Sequence, residues 1–201
     1  MPAGTLNYWQ AWVFLAVFAV ASLGPYIHLS RIDPAAVERR KHAGPTAEAR
    51  PVQKVVVAGI LVAFAALVVL SVFDYRFGWS SVPVIVSVLG DVLVAVGMGL
   101  AMLVIYQNRY AAATITVEQD QPLVTTGLYG FVRHPMYFGS VIMAIGTPLA
   151  LGSYWALLVV IPVVVFLAVR IRDEERMLVE ELTGYSQYRE QVRYRLLPYI
   201  W

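Results

Sequence analysis

The sequence contains no cysteine. This absence excludes disulfide bonds, thiolate metal ligands and cysteine nucleophiles. Histidine is scarce as well, with three residues far apart along the chain, so we expect no metal site. The N-terminus lacks the basic region of a secretory signal. Trp9 and Trp12, at the start of its apolar run, are typical of an anchor at a membrane interface.

Charge is also scarce. Charged residues make up 14% of the 201 residues and hydrophobic residues 59%. A soluble domain typically has about 25% charged and 45–50% apolar residues. The composition therefore predicts an all-α integral membrane protein, with 1–201 forming one domain.

Five apolar stretches predict about five transmembrane helices. A crossing needs about 20 apolar residues, with roughly 17 at the lower end. The last two stretches are short and are joined only by Gly152-Ser153, so they either cross separately or form one re-entrant helical hairpin. Pro148 and Pro162 would bend either arrangement. The predicted spans lie near 9–29, 55–73, 82–106, 136–151 and 154–170.

The basic residues indicate an orientation. In this topology all but one of the 15 lysine and arginine residues fall on one side, and Arg76 is the exception. Because lysine and arginine accumulate on the cytoplasmic side, we expect the N-terminus outside the inner membrane. The 31–54 loop, the 107–135 segment and the C-terminal tail are then cytoplasmic. Arg39 to Lys41 either follow this topology rule or also contact anionic lipid.

Asp91 is an acidic residue inside the third predicted span. An ionisable group within a membrane is a functional candidate. It lies near the outer end, however, beside Ser87, Gly90 and Gly97, and helices often pack through such small residues. A polar contact within a helix interface is therefore the alternative interpretation.

The stretch "TGLYGFVRHPMYFGS", residues 126–140, indicates an anion-binding site. Pro135 suits the first turn of a helix because its missing N–H would have no partner there. The free N–H groups of that turn can hold an anion. Arg133 and His134 add side-chain donors. We therefore predict a carboxylate or phosphate pocket at the cytoplasmic mouth of the fourth span.

A second cluster, "VRIRDEERMLVEEL", follows the fifth span directly. Arg170 and Glu174 are four residues apart and share a helix face. These charges could form ordinary surface ion pairs, each worth under about 1 kcal/mol. The fourth and fifth spans must be neighbours, however, which places Glu174 and Glu175 at the depth of the donors at 133–137. Donors and acceptors together suit a zwitterion such as an amino acid.

These motifs resemble the isoprenylcysteine carboxyl methyltransferase family, and more distantly the phospholipid N-methyltransferases. The resemblance rests on "PLVTTGLYGFVRHPMYFGS", "RIRDEERMLVEELTGYSQYREQV" and the final "LLP", and "RIDPAAVERR" and "FDYRFGWSSVP" are similar to its bacterial branch. It implies a membrane enzyme that uses S-adenosyl-L-methionine in a cytosolic-face cofactor pocket. It also divides the chain into three N-terminal spans, 1–106, and a cofactor-binding core with a helical tail, 107–201.

The resemblance also implies roles for individual residues. Glu174 is similar to the acid that helps to hold the polar end of the cofactor, and Arg170 to the arginine assigned to the substrate carboxylate. Gln121 stands where larger relatives often have histidine, which implies a cofactor contact but no proton transfer. The cofactor-binding residues implied by the motifs or by the charge clusters are Gln121, Pro122, Leu123, Val124, Tyr129, Arg133, His134, Pro135, Met136, Tyr137, Glu174 and Glu175.

The family resemblance implies that the protein transfers a methyl group to a lipophilic acceptor. A carboxylate acceptor is favoured modestly because it is ionised at neutral pH and needs no general base. The candidate partners are a lipophilic small molecule, a prenylated protein or lipid, and the membrane lipids. The tail "GYSQYREQVRYRLLPYIW" ends in apolar residues that suit headgroups rather than nucleic acid, and Tyr185 and Tyr188 are expected to pack at the cofactor site.

Two alternatives remain. The first is an NADPH-dependent reductase of the sterol-reductase type, whose cofactor domain is similar. That class tends to have asparagine before the motif tyrosine, where this chain has Met136. The second is a membrane protein without enzymatic activity, such as a small transporter or an assembly factor. The sequence has no intramembrane charge pathway beyond Asp91 and no inverted repeat to favour it.

Overall fold

The computed structural model describes residues 3–41, 43–111, 114–118 and 120–201. All regular secondary structure within these ranges is helical. Short 3₁₀ turns precede α3, α5 and α6. The α-helices of the described residues are α1 (Trp9–Ile32), α2 (Pro34–Lys41), α3 (Pro51–Phe77), α4 (Val84–Gln107), α5 (Pro135–Ala150), α6 (Val160–Glu181) and α7 (Tyr185–Gln191).

Four helical stretches of the described chain are long and apolar enough to cross a membrane. They are α1, α3, α4 and the stretch Trp155–Glu181, which joins a 3₁₀ turn to α6. The fourth predicted span is the shorter α5, with 16 residues. The expected fold class, an all-α integral membrane protein, is confirmed.

The hairpin formed by α5 and α6 extends as far as α3 does. Near the start of α3, Gln53 Nε2 donates to Asp173 of α6 at 2.6 Å. Near its other end, Asp74 accepts from Ser153 Oγ at 2.5 Å, in the turn between α5 and α6. The two α3 positions are about 32 Å apart at 1.5 Å per residue, close to the roughly 30 Å of a hydrocarbon core. Of the two arrangements that the sequence leaves open, this length fits two crossings.

The helix bundle has two ends, called here the site end and the opposite end. The opposite end holds Asp74, which also accepts from the Ser80 backbone N–H and hydroxyl at 2.7 Å each. The site end holds α2, the described residues of the 108–134 segment and the C-terminal tail. Between the ends, α3, α5 and α6 enclose a buried apolar cluster that includes Leu67, Ala144 and Ile171. This core holds the starts of α5 and α3 and the last turns of α6 together at the site end.

Glycines allow α4 and α5 to pack in close backbone contact. A Cβ on Gly139 would lie 2.7 Å from the carbonyl oxygen of Gly97, and one on Gly146 would lie 2.7 Å from that of Gly90. Asp91 is buried beside this contact, and neither of its carboxylate oxygens has a hydrogen-bond partner among the described residues. The small residues thus form the helix interface that the sequence indicates, and Asp91 adds no hydrogen bond to it there.

Gly139→Ala is expected to destabilise the protein by about 1–3 kcal/mol, because the new methyl group would meet backbone rather than a movable side chain. Thermal unfolding in detergent should show a lowered melting temperature. Gly99→Ala is the matched control, since a Cβ there meets nothing within 4 Å. Equal melting temperatures for the two variants would contradict this packing.

Candidate active site

A polar cleft at the site end brings together twelve of the thirteen predicted site residues. Its walls are the described residues of the 108–124 segment, the start of α5, the last turns of α6, and α7. Its cavity volume is about 110 Å³. Lining it are Gln121, Pro122, Leu123, Val124, Tyr129, Arg133, His134, Pro135, Met136, Tyr137, Arg170 and Glu174.

Glu175, the thirteenth, lies behind the cleft wall in an ion cluster. It is 3% exposed and accepts from Arg133 Nε at 2.7 Å and from Arg195 Nε at 2.8 Å. His134 Nε2 lies 3.4 Å from the same carboxylate. Glu175 therefore has partners at the start of α5, Arg133 and His134, and one partner in the tail, Arg195. Its sequence neighbour Glu174 faces the cleft instead.

Arg133 is engaged by the tail as well as by Glu175. Its Nη1 donates to the carbonyls of Val192 and Arg193 at 2.6 and 2.9 Å. The backbone N–H groups of Arg133 and His134 donate to the carbonyls of Tyr194 and Arg195, both at 2.9 Å. The sequence predicts Arg133 as an anion donor. The structure shows that its guanidinium instead fastens the C-terminal tail to the start of α5.

The start of α5 keeps the features that favour an anion. Pro135 occupies the first turn, and His134 at the N-cap makes no side-chain capping hydrogen bond. The His134 ring stacks on Tyr137 with centroids 5.6 Å apart, and both rings line the cleft. A helix N-terminus of this kind can accept a carboxylate.

A hydrogen-bonded chain joins α5 to α6 across the cleft floor. Arg170 Nε donates to the Tyr137 hydroxyl at 2.9 Å, and that hydroxyl donates to Glu174 Oε2 at 2.7 Å. Arg170 Nη1 also donates to Glu48 Oε1 and Gln53 Oε1, both at 2.8 Å. Arg170 is 5% exposed, so this network satisfies a buried guanidinium.

The sequence does not predict the roles of Glu48 and Gln53. Both come from the loop and first turn before the second predicted span, far along the chain from Arg170. One signal was available for Glu48, which is the only acidic residue between positions 39 and 54. Gln53 gave no signal, because a polar residue at the mouth of a membrane helix is ordinary.

Tyrosines form the opposite wall of the cleft. Tyr129 accepts from Asn108 Nδ2 at 3.1 Å, and its carbonyl accepts from the Tyr188 hydroxyl at 2.8 Å. Burial raises the pKa of Tyr129 to about 12 and also raises the pKa values of Tyr185 and Tyr188. All three are therefore neutral donors at physiological pH. The Tyr185 hydroxyl is buried and makes no hydrogen bond to any described residue, which leaves a donor beside the cleft for the polar atom of a ligand.

A second, apolar cavity meets this cleft. It lies among α1, α3, α4, α5 and α6 and has a volume of about 550 Å³. Its lining is mainly apolar and includes Phe18, Phe64 and Met143. The two cavities share Met136, Tyr137 and Arg170. A polar ligand in one cavity and an apolar ligand in the other would thus both border these three residues.

The fold is that of a helical membrane protein with a polar cleft beside an apolar cavity. The family model for phospholipid methyltransferases matches residues 85–185, which include nearly all of α4, all of α5 and α6, and most of the cleft lining. This chain belongs to that family.

Known proteins with related sequences and folds agree. Protein-S-isoprenylcysteine O-methyltransferase of Saccharomyces cerevisiae is 34% identical over 121 residues, 58% of this chain and 51% of the yeast protein. The solved structure of the eukaryotic intramembrane Ras methyltransferase ICMT (isoprenylcysteine carboxyl methyltransferase) aligns with 98% of this chain and 69% of its own. Its TM-score is 0.61 at 21% identity, which shows a shared fold. The resemblance to the isoprenylcysteine carboxyl methyltransferase family is confirmed, and its bacterial branch stays a prediction.

A reductase is also similar to part of the chain. Delta(14)-sterol reductase TM7SF2 of Mus musculus is 34% identical over 92 residues, 44% of this chain and 22% of the reductase. The chain therefore spans about half of the yeast methyltransferase and less than a quarter of the reductase.

Proposed function

We propose that this protein is an integral membrane methyltransferase that uses S-adenosyl-L-methionine and methylates the carboxylate of a lipophilic acceptor. The observation that carries the proposal is the meeting of the polar cleft and the apolar cavity at Met136, Tyr137 and Arg170. A water-soluble donor and a lipid-soluble acceptor need such a junction. The methyltransferase relatives support the reaction class.

The cleft has groups that suit both ends of the donor. Glu174 accepts from its ammonium group, and the start of α5 donates to its carboxylate. The buried Tyr185 hydroxyl adds a further donor. The 121–124 segment and Tyr129 form a less charged wall, which suits the adenosine. Glu175, behind the cleft wall, holds this arrangement in place through its ion pairs with Arg133 and Arg195.

At the junction, the residues orient the acceptor rather than change its protonation. When bound, S-adenosyl-L-methionine supplies a sulfonium methyl carbon, so that attack by a carboxylate oxygen forms an O–C bond while the C–S electron pair stays on sulfur. An ionised carboxylate needs no general base. Arg170 supplies the charge that places the carboxylate, and the apolar cavity excludes water. Holding the reactants in line can contribute up to about 7–11 kcal/mol in ideal cases.

The site end is cytoplasmic in this proposal, and the membrane is the inner membrane. Residues 31–54 and 170–201 carry 12 of the 15 lysine and arginine residues, as cytoplasmic segments do. The donor then enters from the cytosol, and a prenylated or lipid acceptor enters from the inner leaflet.

Calorimetry on the detergent-purified protein tests the donor site, with S-adenosyl-L-methionine and NADPH titrated separately. We expect saturable binding of the former and none of the latter. Transfer of the labelled methyl group to N-acetyl-S-farnesylcysteine then tests the acceptor class. Tight NADPH binding without S-adenosyl-L-methionine binding would favour the reductase alternative, to which the mouse relative gives some support. A well-folded protein that binds neither would refute both enzymatic functions.

A further inference from the structure

Glu48 occupies a carboxylate position on Arg170. Its Oε1 accepts from Arg170 Nη1 at 2.8 Å, and its Oε2 accepts from the backbone N–H of Ile115 at 3.3 Å. The side chains of Glu48 and Arg170 are 2% and 6% exposed. Arg170 is the residue that the proposed function gives to the acceptor carboxylate, so two carboxylates have reason to bind one guanidinium.

An exchange between these carboxylates is energetically feasible. A buried arginine without a partner strongly destabilises the folded protein, whereas replacing one carboxylate by another keeps the charge compensated. Glu48 therefore compensates the charge of Arg170 before the acceptor binds. The displaced Glu48 has solvent close by, because its neighbours Thr46, Ala47 and Ala49 are not buried.

The loop that carries Glu48 can move without undocking α3. Arg50 Nη2 and Gln53 Nε2 each lie 2.6 Å from the carboxylate of Asp173, which fixes the start of α3 to α6. The segment before this anchor is a short turn, Pro45–Ala47, entered through Gly44 at φ +99°. Glu48 thus lies between the anchored start of α3 and a turn that begins at Gly44, where the positive φ favours glycine.

We propose that Glu48 is a specificity-determining residue that competes with the acceptor carboxylate for Arg170. This inference rests on the proposed function, since it requires an acidic acceptor. An acidic acceptor displaces Glu48 because it brings an equivalent charge. A neutral molecule of the same shape does not, so Arg170 stays paired with Glu48.

The same competition favours release of the product. Methylation turns the acceptor carboxylate into a neutral ester, which cannot pair with Arg170. Glu48 then regains its partner, and the ester is left with the apolar cavity alone. The protein would thereby distinguish its acceptor from its product, although the two differ by one methyl group.

The test measures binding without turnover. N-acetyl-S-farnesylcysteine and its methyl ester are titrated into the nanodisc-embedded protein, in the presence of S-adenosylhomocysteine. Glutamine can accept a hydrogen bond from Arg170 but cannot compensate its buried charge. We therefore expect Glu48→Gln to bind the acid about tenfold more tightly. Ester affinity should change less than twofold.

Control variants separate this effect from altered charge or folding. Glu38→Gln removes an equal charge from an exposed ion pair with Lys41 and should leave both affinities unchanged. Glu48→Asp keeps the charge on a shorter side chain. If Glu48→Gln does not fold, Glu48→Asp should still bind the acid more tightly than wild type.

Several outcomes would overturn the inference. Unchanged or weaker acid binding in Glu48→Gln would mean that Glu48 only positions Arg170. If the wild-type protein binds S-adenosylhomocysteine but neither N-acetyl-S-farnesylcysteine nor its methyl ester, the acidic acceptor is refuted, and this inference is refuted with it. The proposed donor site would stand. No binding of S-adenosylhomocysteine would refute the proposed function itself.

Discussion

Glu175→Gln is expected to destabilise the protein by about 3–5 kcal/mol, the usual cost of breaking a buried ion pair. The variant leaves Arg133, whose side chain is 4% exposed, beside Arg195 without the carboxylate between them. Both arginines belong to the contact between the tail and the start of α5. We therefore expect a melting temperature lower by on the order of 10 °C and easier proteolysis after residue 191.

The neighbouring substitution, Glu174→Gln, should affect affinity rather than stability. The Glu174 side chain is 21% exposed and lines the cleft, where it accepts from the Tyr137 hydroxyl. Glutamine can still accept that hydrogen bond but cannot pair with an ammonium group. We expect a loss of about tenfold or more in S-adenosyl-L-methionine affinity, since a charged hydrogen bond contributes about 1.5–3 kcal/mol.

Thermal unfolding and calorimetry on the two variants check this contrast. The two substitutions make the same chemical change one residue apart, so each is the control for the other. A stable Glu175→Gln protein would mean that the ion cluster behind the cleft contributes little. Undiminished donor affinity in Glu174→Gln would contradict the assignment of the donor's ammonium to that side.

Local patterns predict the α5 and α6 side of the cleft because its residues lie in two continuous motifs, whereas Gln121 to Val124 and Tyr129 are implied only by the family resemblance. Pro135 marks the start of α5, and the spacing of Arg170 and Glu174 places both on one face of α6. Since α5 and α6 are joined by a short turn, their site ends had to be neighbours. Local rules of this kind identify the residues that line a cleft when the lining comes from adjacent helices.

Sequence patterns could not separate cleft residues from those behind them. Glu174 and Glu175 point about 100° apart on α6, and only the position of the tail decides which one is enclosed. The tail's backbone accepts from Arg133, and its Arg195 reaches Glu175. This contact joins segments about 60 residues apart, so no local pattern encodes it. Glu48 was missed for the same reason.

Arg170→Leu is expected to abolish methyl transfer to N-acetyl-S-farnesylcysteine, with a decrease of about a hundredfold or more, because the acceptor loses the group that orients it. The single variant should also be unstable. It leaves the Glu48 carboxylate, which is 2% exposed, without its guanidinium partner. Breaking such a pair usually costs about 3–5 kcal/mol, so loss of activity alone would not separate catalysis from folding.

The double variant Arg170→Leu, Glu48→Leu separates them. Replacing a whole buried ion pair by apolar residues is often neutral or stabilising, and Gln53 keeps its contact with Asp173. Gln53 Oε1 and the Ile115 N–H lose their partners. The double variant should therefore regain part of the melting temperature and bind S-adenosyl-L-methionine within a few-fold of wild type, yet remain inactive. Turnover restored along with stability would show that the Arg170–Glu48 pair only supports the fold. The acceptor carboxylate would then have to be bound by another group at the junction of the two cavities.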